Sequence, residues 1–306
     1  MSRPSSAFIG WSSALLSTLS FSIAAPIGTA LINLGLDPTT ILLLRFWLAV
    51  ALLFATLRLT GPGRLRLPRR ALLGVAVAGL AIGVAVLLYF WSLTRLHTSI
   101  AAMLIALEPL ATLLLLALRG ERFSYRILVR LGLGLIGVYL LVGFQGSADL
   151  LGVLMVLGVV LLSSFHTVAL QWFLGEHDGR AVTAYIVLCM ALTISVYWLI
   201  QRPALAPIPW QGWLGVVVMA LISTYTARLT LFAAVKRLGG GQVALLAPVE
   251  TLFTVIFSVI FLGDRLTLAQ SFGGVFILVS AVLAVQRLRR AKVPQPDETA
   301  EVVAGA

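Results

Sequence analysis

Ten long apolar runs, separated by short gaps that hold nearly all the charge, dominate this 306-residue sequence and leave few folds open to it. A helix needs about 20 mostly apolar residues to cross roughly 30 Å of hydrocarbon. The runs fall at 8–30, 39–58, 71–94, 97–118, 127–144, 150–173, 181–201, 211–235, 241–262 and 267–286. Residues are 60% hydrophobic and 11% charged, against about 25% charged in a soluble domain. The expected fold class is therefore an all-α integral membrane protein with ten transmembrane helices. The run from Phe8 to Ala30 is too long, and too promptly followed by others, for a cleaved signal peptide, so it reads as the first span.

The net charge of +11 would suit nucleic acid only if the bases formed a stripe with interleaved aromatics. They sit instead in the gaps, which excludes a nucleic-acid partner and leaves the lipid bilayer as solvent. Placing the amino terminus on one face puts seventeen Lys and Arg there, among them Arg64, Arg66, Arg69, Arg70, Arg122, Arg126, Arg180, Lys236 and Arg237; the other face has Arg95, Arg202 and Arg265. Bases resist translocation, so both termini are expected in the cytoplasm of a cell that carries the protein in its plasma or inner membrane. An odd span count would scatter this asymmetry.

Offset by about 142 residues, the chain matches itself. RLHTSIAAMLIALE, ending at Glu108, pairs with RLGGGQVALLAPVE, ending at Glu250; GERFS from Gly120 pairs with GDRLT from Gly263; Asp37 falls opposite Asp178. Five spans is an odd number, so the halves, 1–146 and 147–287, must be inverted, with a disordered cytoplasmic tail over 288–306. Inverted repeats are a common plan of secondary transporters, whose sites lie near the midplane between the halves.

Ionisable groups at membrane depth cost about 2.5–3.5 kcal/mol on insertion scales, so each needs a partner or a wet cavity. Arg45, Glu108, Arg228 and Glu250 stand in that position. An Arg45–Glu108 pair and an Arg228–Glu250 pair both lie within an arginine's reach, and either a substrate or proton site or a structural ion pair would account for them. His166, with Ser163 and Ser164, could titrate, bind solute, or simply bond a neighbouring carbonyl. Tyr225, with Ser223, Thr224 and Thr226, and Ser17, Thr18, Ser20 and Ser22 put hydroxyls at depth that line a cavity or bond back to their own helix. Tyr89 and Trp91 serve either as a stacking surface or as part of an aromatic belt. Gly74, Ala78, Gly79 and Gly83 are expected to let helices pack closely. Cys189, the only cysteine, forms no disulfide and reads as a small packing residue.

No nucleophile elbow, HExxH or Walker loop is present, so neither catalysis, metal nor cofactor is expected. LLLRFWLA around Arg45, LEPLATLLLLALRGER (107–122) and LAPVETLFTVIFSVIFLGDR (246–265) resemble the paired EamA-type repeats of the drug/metabolite transporter superfamily. That resemblance implies two inverted repeats, a central cavity, and transport, often export, of amino acids, other small metabolites or toxic compounds. Asp264 stands where the family pattern has Glu, a conservative departure. The expectation is an exporting secondary transporter of a small-molecule solute, with protons as a coupling ion; a passive channel and an intramembrane enzyme are the competing classes.

Overall fold

The computed structural model describes residues 6–60, 67–117, 125–142, 149–173, 179–204, 207–238, 240–243 and 246–291. Every regular element among them is helical, and helices occur at each of the ten apolar runs. In order they are α1 (Ser6–Ser22), α2 (Ala24–Asn33), α3 (Pro38–Thr60), α4 (Arg69–Ser92), α5 (Thr98–Ile105), α6 (Glu108–Ala117), α7 (Tyr125–Val142), α8 (Leu150–Phe173), α9 (Gly179–Gln201), α10 (Trp210–Val218), a π segment (Met219–Thr226), α11 (Ala227–Leu238), α12 (Gly240–Val243), α13 (Ala247–Phe257), a π turn (Ser258–Leu262) and α14 (Leu268–Ala291). Seven continuous or kinked runs are long and apolar enough to cross a bilayer, and shorter apolar helices lie at Val129–Leu141, Ala247–Leu262 and Leu268–Leu283.

Local chemistry fixes where these helices start. Asp37 caps α3 by accepting the Thr40 amide at 2.9 Å, with Pro38 at the first helical position, where no amide hydrogen is needed. Asp149 caps α8 through the Leu151 and Gly152 amides. At α14 a capping box forms: the Gln270 amide donates to Thr267 Oγ1, and the Thr267 amide donates to Gln270 Oε1. At the far end α14 continues to Ala291, beyond the tail boundary expected at 287, because Arg, Leu and Ala are all good helix formers. The remainder of the expected tail, 292–306, and Asp178 lie outside the described residues.

Three spans are interrupted. Pro26 deprives the Ser22 carbonyl of its donor, the helix turns at Ile23, and Thr254 Oγ1 of α13 donates to that carbonyl at 3.2 Å. Pro109 does the same to Ile105, so α5 stops there and α6 restarts with Glu108 in its first turn. Pro248 stands in the first turn of α13, which also contains Glu250. A π segment in the middle of the long Trp210–Leu238 run widens the helix where Ser223, Thr224 and Tyr225 stand.

The helices pack α4 on α8 and α9, α1 on α11, α3 on α9, α5 on α13 and α7 on α14. Small residues set the closest approaches. A Cβ on Gly79 would lie 2.5 Å from Cys189 Cβ, and one on Gly83 would lie 3.0 Å from Thr193 Cβ, so the small-residue face of α4 and the lone cysteine pack against each other. Gly137 of α7 and Gly273 of α14 meet backbone to backbone: a Cβ on either would lie 2.7 Å from the other's carbonyl oxygen. The outer surface is apolar, with Ile200 75%, Phe261 74% and Phe272 62% exposed. A water-soluble monomer does not show so much large apolar side chain, whereas lipid covers it without cost.

Candidate functional site

The interior polar groups fall into two sets. On one side are the two carboxylates. Glu108 occupies the first turn of α6 and Glu250 the first turn of α13, so each acid lies at the positive end of a half-helix. Glu250 is within electrostatic reach of Glu108, and Tyr89 is within reach of Glu250. Thr167 Oγ1 donates to Glu108 Oε1 at 3.2 Å, and Ser164 Oγ donates to the Glu108 backbone carbonyl at 3.0 Å, which ties α8 to the break between α5 and α6. Tyr89 is thus turned inward among the packed helices and is not part of a lipid-facing belt. Two residues further along α4, the buried indole nitrogen of Trp91 has no hydrogen-bond partner among the described residues.

On the other side are the guanidiniums. Arg45, only 6% exposed, donates from Nε to Thr224 Oγ1 at 2.8 Å, and its guanidinium lies over the rings of Phe46 and Phe90 at 5.2 and 5.9 Å. The π segment makes this bond available: Thr224 Oγ1 in turn donates to the Met219 carbonyl five residues back at 3.3 Å. Arg228 follows Thr224 by about one turn and is within electrostatic reach of Arg45. Arg228 Nη2 approaches Met190 Sδ at 3.8 Å, while among the described residues its buried Nε and the buried Ser223 hydroxyl have no hydrogen-bond partner.

Neither arginine–glutamate pair expected from depth along the chain forms: among the described residues the ion pairs are Arg95–Asp149 at 2.8 Å and His97–Asp264 at 3.4 Å. Depth along a helix does not fix azimuth, and the bundle leaves Arg45 within electrostatic reach of Arg228 and Glu250 within reach of Glu108, with neither arginine ion-paired to an acid among the described residues. His166 Nδ1 donates to the Ala78 carbonyl of α4 at 2.8 Å, the carbonyl-bonded arrangement, and leaves Nε2 free of that bond within electrostatic reach of Arg228. Ser163 is buried one turn before Thr167 on α8. Tyr225 hydrogen-bonds Thr56 of α3 at 2.7 Å, nearer the end of the bundle where α3 ends. The hydroxyls of α1 divide: Thr18 and Ser22 bond back to Ala14 and Leu19, whereas Ser17 crosses to the Ala227 carbonyl at 2.9 Å.

Sequence reasoning passed over Thr56, Thr167, Thr183 and Arg180. Thr56 follows Arg45 by eleven residues, three helical turns, so the two share a face of α3; that spacing was the available signal. Arg180, Thr183, Thr56 and Arg228 line a cleft between α3, α9 and α11, where Arg180 also stacks over Phe232 at 5.5 Å. Outside the spans, Arg95 and the amides of Gly152 and Leu151 hold the Asp149 carboxyl below its ordinary range. No cluster of His, Cys, Asp and Glu suited to a metal occurs among the described residues.

The bundle aligns with a solved crystal structure at a TM-score of 0.63 and 22% identity, over 95% of this chain and 100% of the other, a likeness of fold alone. An Archaeoglobus fulgidus protein described as an uncharacterized transporter is 26% identical over 258 residues, covering 82% of this chain and 88% of its own length. The sequence model of the EamA-like transporter family matches twice, over residues 8–143 and 150–286. Two matches that together take in nearly every helix, on an apolar multi-pass bundle, mean that the chain belongs to the EamA-like transporter family and is a membrane transporter.

Proposed function

We propose that the protein is a secondary active transporter that exports a small metabolite, such as an amino acid or related compound, by alternating access between two inverted five-helix halves. Both termini are cytoplasmic, and the protein resides in the plasma or inner membrane. The helix packing supports the repeat. Adding five to each span number exchanges the α4–α8 contact with the α1–α11 contact, and returns α3–α9, α5–α13 and α7–α14 to themselves. A two-fold relation between halves has that signature, and rocking one half against the other is the motion it permits.

The observation that carries the transport site is the position of Glu108 and Glu250. Both stand in the first turns of interrupted helices, neither is ion-paired with a base among the described residues, and each is within electrostatic reach of the other. Half-helix ends and polar groups at mid-membrane are costly unless they face a wet cavity, which is where transporters of this plan bind solute and coupling ion. In this reading the acids carry the coupling proton, and Tyr89, Arg45 and Arg228 contact the solute.

Proteoliposomes loaded with a panel of labelled metabolites test the reading. Saturable efflux that a pH gradient accelerates, with counterflow of unlabelled solute, is the expected result. Non-saturating flux without counterflow would assign a channel, chemical conversion of the tracer an enzyme, and no protein-dependent flux of any compound under either gradient would refute transport by this route.

A further inference from the structure

The two buried guanidiniums need a counter-charge that no described residue supplies as an ion pair. Arg45 is bonded to Thr224, about one helical turn before Arg228, the two guanidiniums are within electrostatic reach of each other, and among the described residues neither has a carboxylate within ion-pairing distance. Arg45 at least has a hydroxyl and two ring faces. Arg228 has a thioether at 3.8 Å and a buried Nε with no hydrogen-bond partner among the described residues. Buried cations are retained only when paired or solvated by a specific group. The interior acids stand in the first turns of α6 and α13, within electrostatic reach of each other.

Arg228 also lines a cleft whose walls carry a second base, Arg180. Thr56 of α3 and Arg180 and Thr183 of α9 complete its polar lining, with Leu57 and Phe232 as apolar walls. It lies toward the end of the bundle where α3 and α11 finish and α9 begins, the base-rich end. Guanidiniums and hydroxyls lining one cleft are the donors that a carboxylate or phosphate accepts from, whereas two cations repel an ammonium.

We infer that this cleft is an oxyanion-binding subsite, in which Arg228, backed by Arg45 and approached past Arg180, takes the carboxylate or phosphate group of the solute. This deepens the transport reading by naming the charge of the solute, and it rests on that reading only for the statement that the bound anion is cargo. Each can fail alone: binding is measured in detergent, where no flux is needed.

Purified protein is titrated with inorganic phosphate and with acetate at constant ionic strength, and thermal unfolding and calorimetry are followed, with tetramethylammonium chloride as the cation control. The expected result is a saturable stabilisation by at least one oxyanion and none by the cation. Arg228→Gln and Arg180→Gln should each weaken binding at least fivefold, whereas Arg95→Gln, on the opposite face, should leave it unchanged. If Arg228→Gln does not fold, Arg180→Gln and Thr183→Val carry the test. No saturable response to either oxyanion, or an equal response in the Arg180 and Arg228 variants, overturns the inference. So does one phospholipid phosphate per chain retained through purification and lost in Arg228→Gln, with no response to soluble oxyanions, since the cleft would then hold a lipid headgroup. Oxyanion binding without flux of any solute would sink the transport reading and leave the subsite standing.

Discussion

Replacing Asp264 with Ala should destabilise the bundle by about 2–4 kcal/mol, although Asp264 lies in a loop and touches no interior charge. Its carboxylate, 9% exposed, accepts the Ser99 amide at 2.9 Å and the Ser99 hydroxyl at 2.7 Å, so it caps the amino-terminal end of α5 from across the structure. Losing such a cap costs about 1–2 kcal/mol. The Ser99 hydroxyl, which is fully buried, then loses its acceptor, at about another 1–2 kcal/mol because it can rotate toward a carbonyl of its own helix. At roughly 2 °C per kcal/mol for a chain this large, the unfolding midpoint falls by about 4–8 °C. Asp264→Asn keeps one acceptor oxygen and should lose about half as much. Thermal unfolding of the three proteins in one mild detergent gives the comparison: the expected order of stability is wild type, Asn, Ala. An Ala variant as stable as the wild type, or an Asn variant less stable than Ala, would refute the capping argument.

Glu108→Gln and Glu250→Gln should each lower proton-driven efflux at least tenfold and flatten its pH dependence while the protein still folds; unchanged flux and pH profile in both would demote the acids to scaffold. Gly137→Ala pushes a methyl to 2.5 Å from Ile277 Cγ1 and 2.7 Å from the Gly273 carbonyl, and should cost about 1–3 kcal/mol. Gly132→Ala on the same helix meets nothing within 4 Å and should be neutral or stabilising, so equal effects in thermal unfolding would contradict the packing account. Arg95→Gln should let the Asp149 carboxyl rise toward its ordinary value of 3.8. A depressed folded value stabilises above that pH and the benefit vanishes as pH falls through it, so the wild type's small, salt-screened advantage should be present at pH 7 and gone in strong acid. An advantage that grew on acidification would contradict the pairing.

Much of the fold was legible because the signals were local. The positions of the apolar runs follow from local composition, whereas a reading by run length passes over the caps at Asp37 and Thr267 and the proline breaks at Pro26 and Pro109: the runs at 8–30 and 97–118 read as uninterrupted spans, although the residues responsible are adjacent in the chain. The GDR sequence after α13 was visible as a repeated motif, and Gly263 supplies the left-handed turn (φ 71°) that delivers Asp264. Its partner Ser99, 165 residues away, was not visible.

The candidate site divides in the same way. Sequence alone identified the ionisable side chains that stand at membrane depth, because the cost of putting a charge in hydrocarbon makes each one conspicuous. Only the tertiary structure decided which of them come within electrostatic reach, Arg45 of Arg228 and Glu108 of Glu250, and that Thr224 is presented to Arg45 by a π segment. The depth of a residue is set by counting along one helix, whereas its neighbours depend on how far each helix is rotated about its own axis, and that rotation is settled by the packing of small and large side chains from distant parts of the chain.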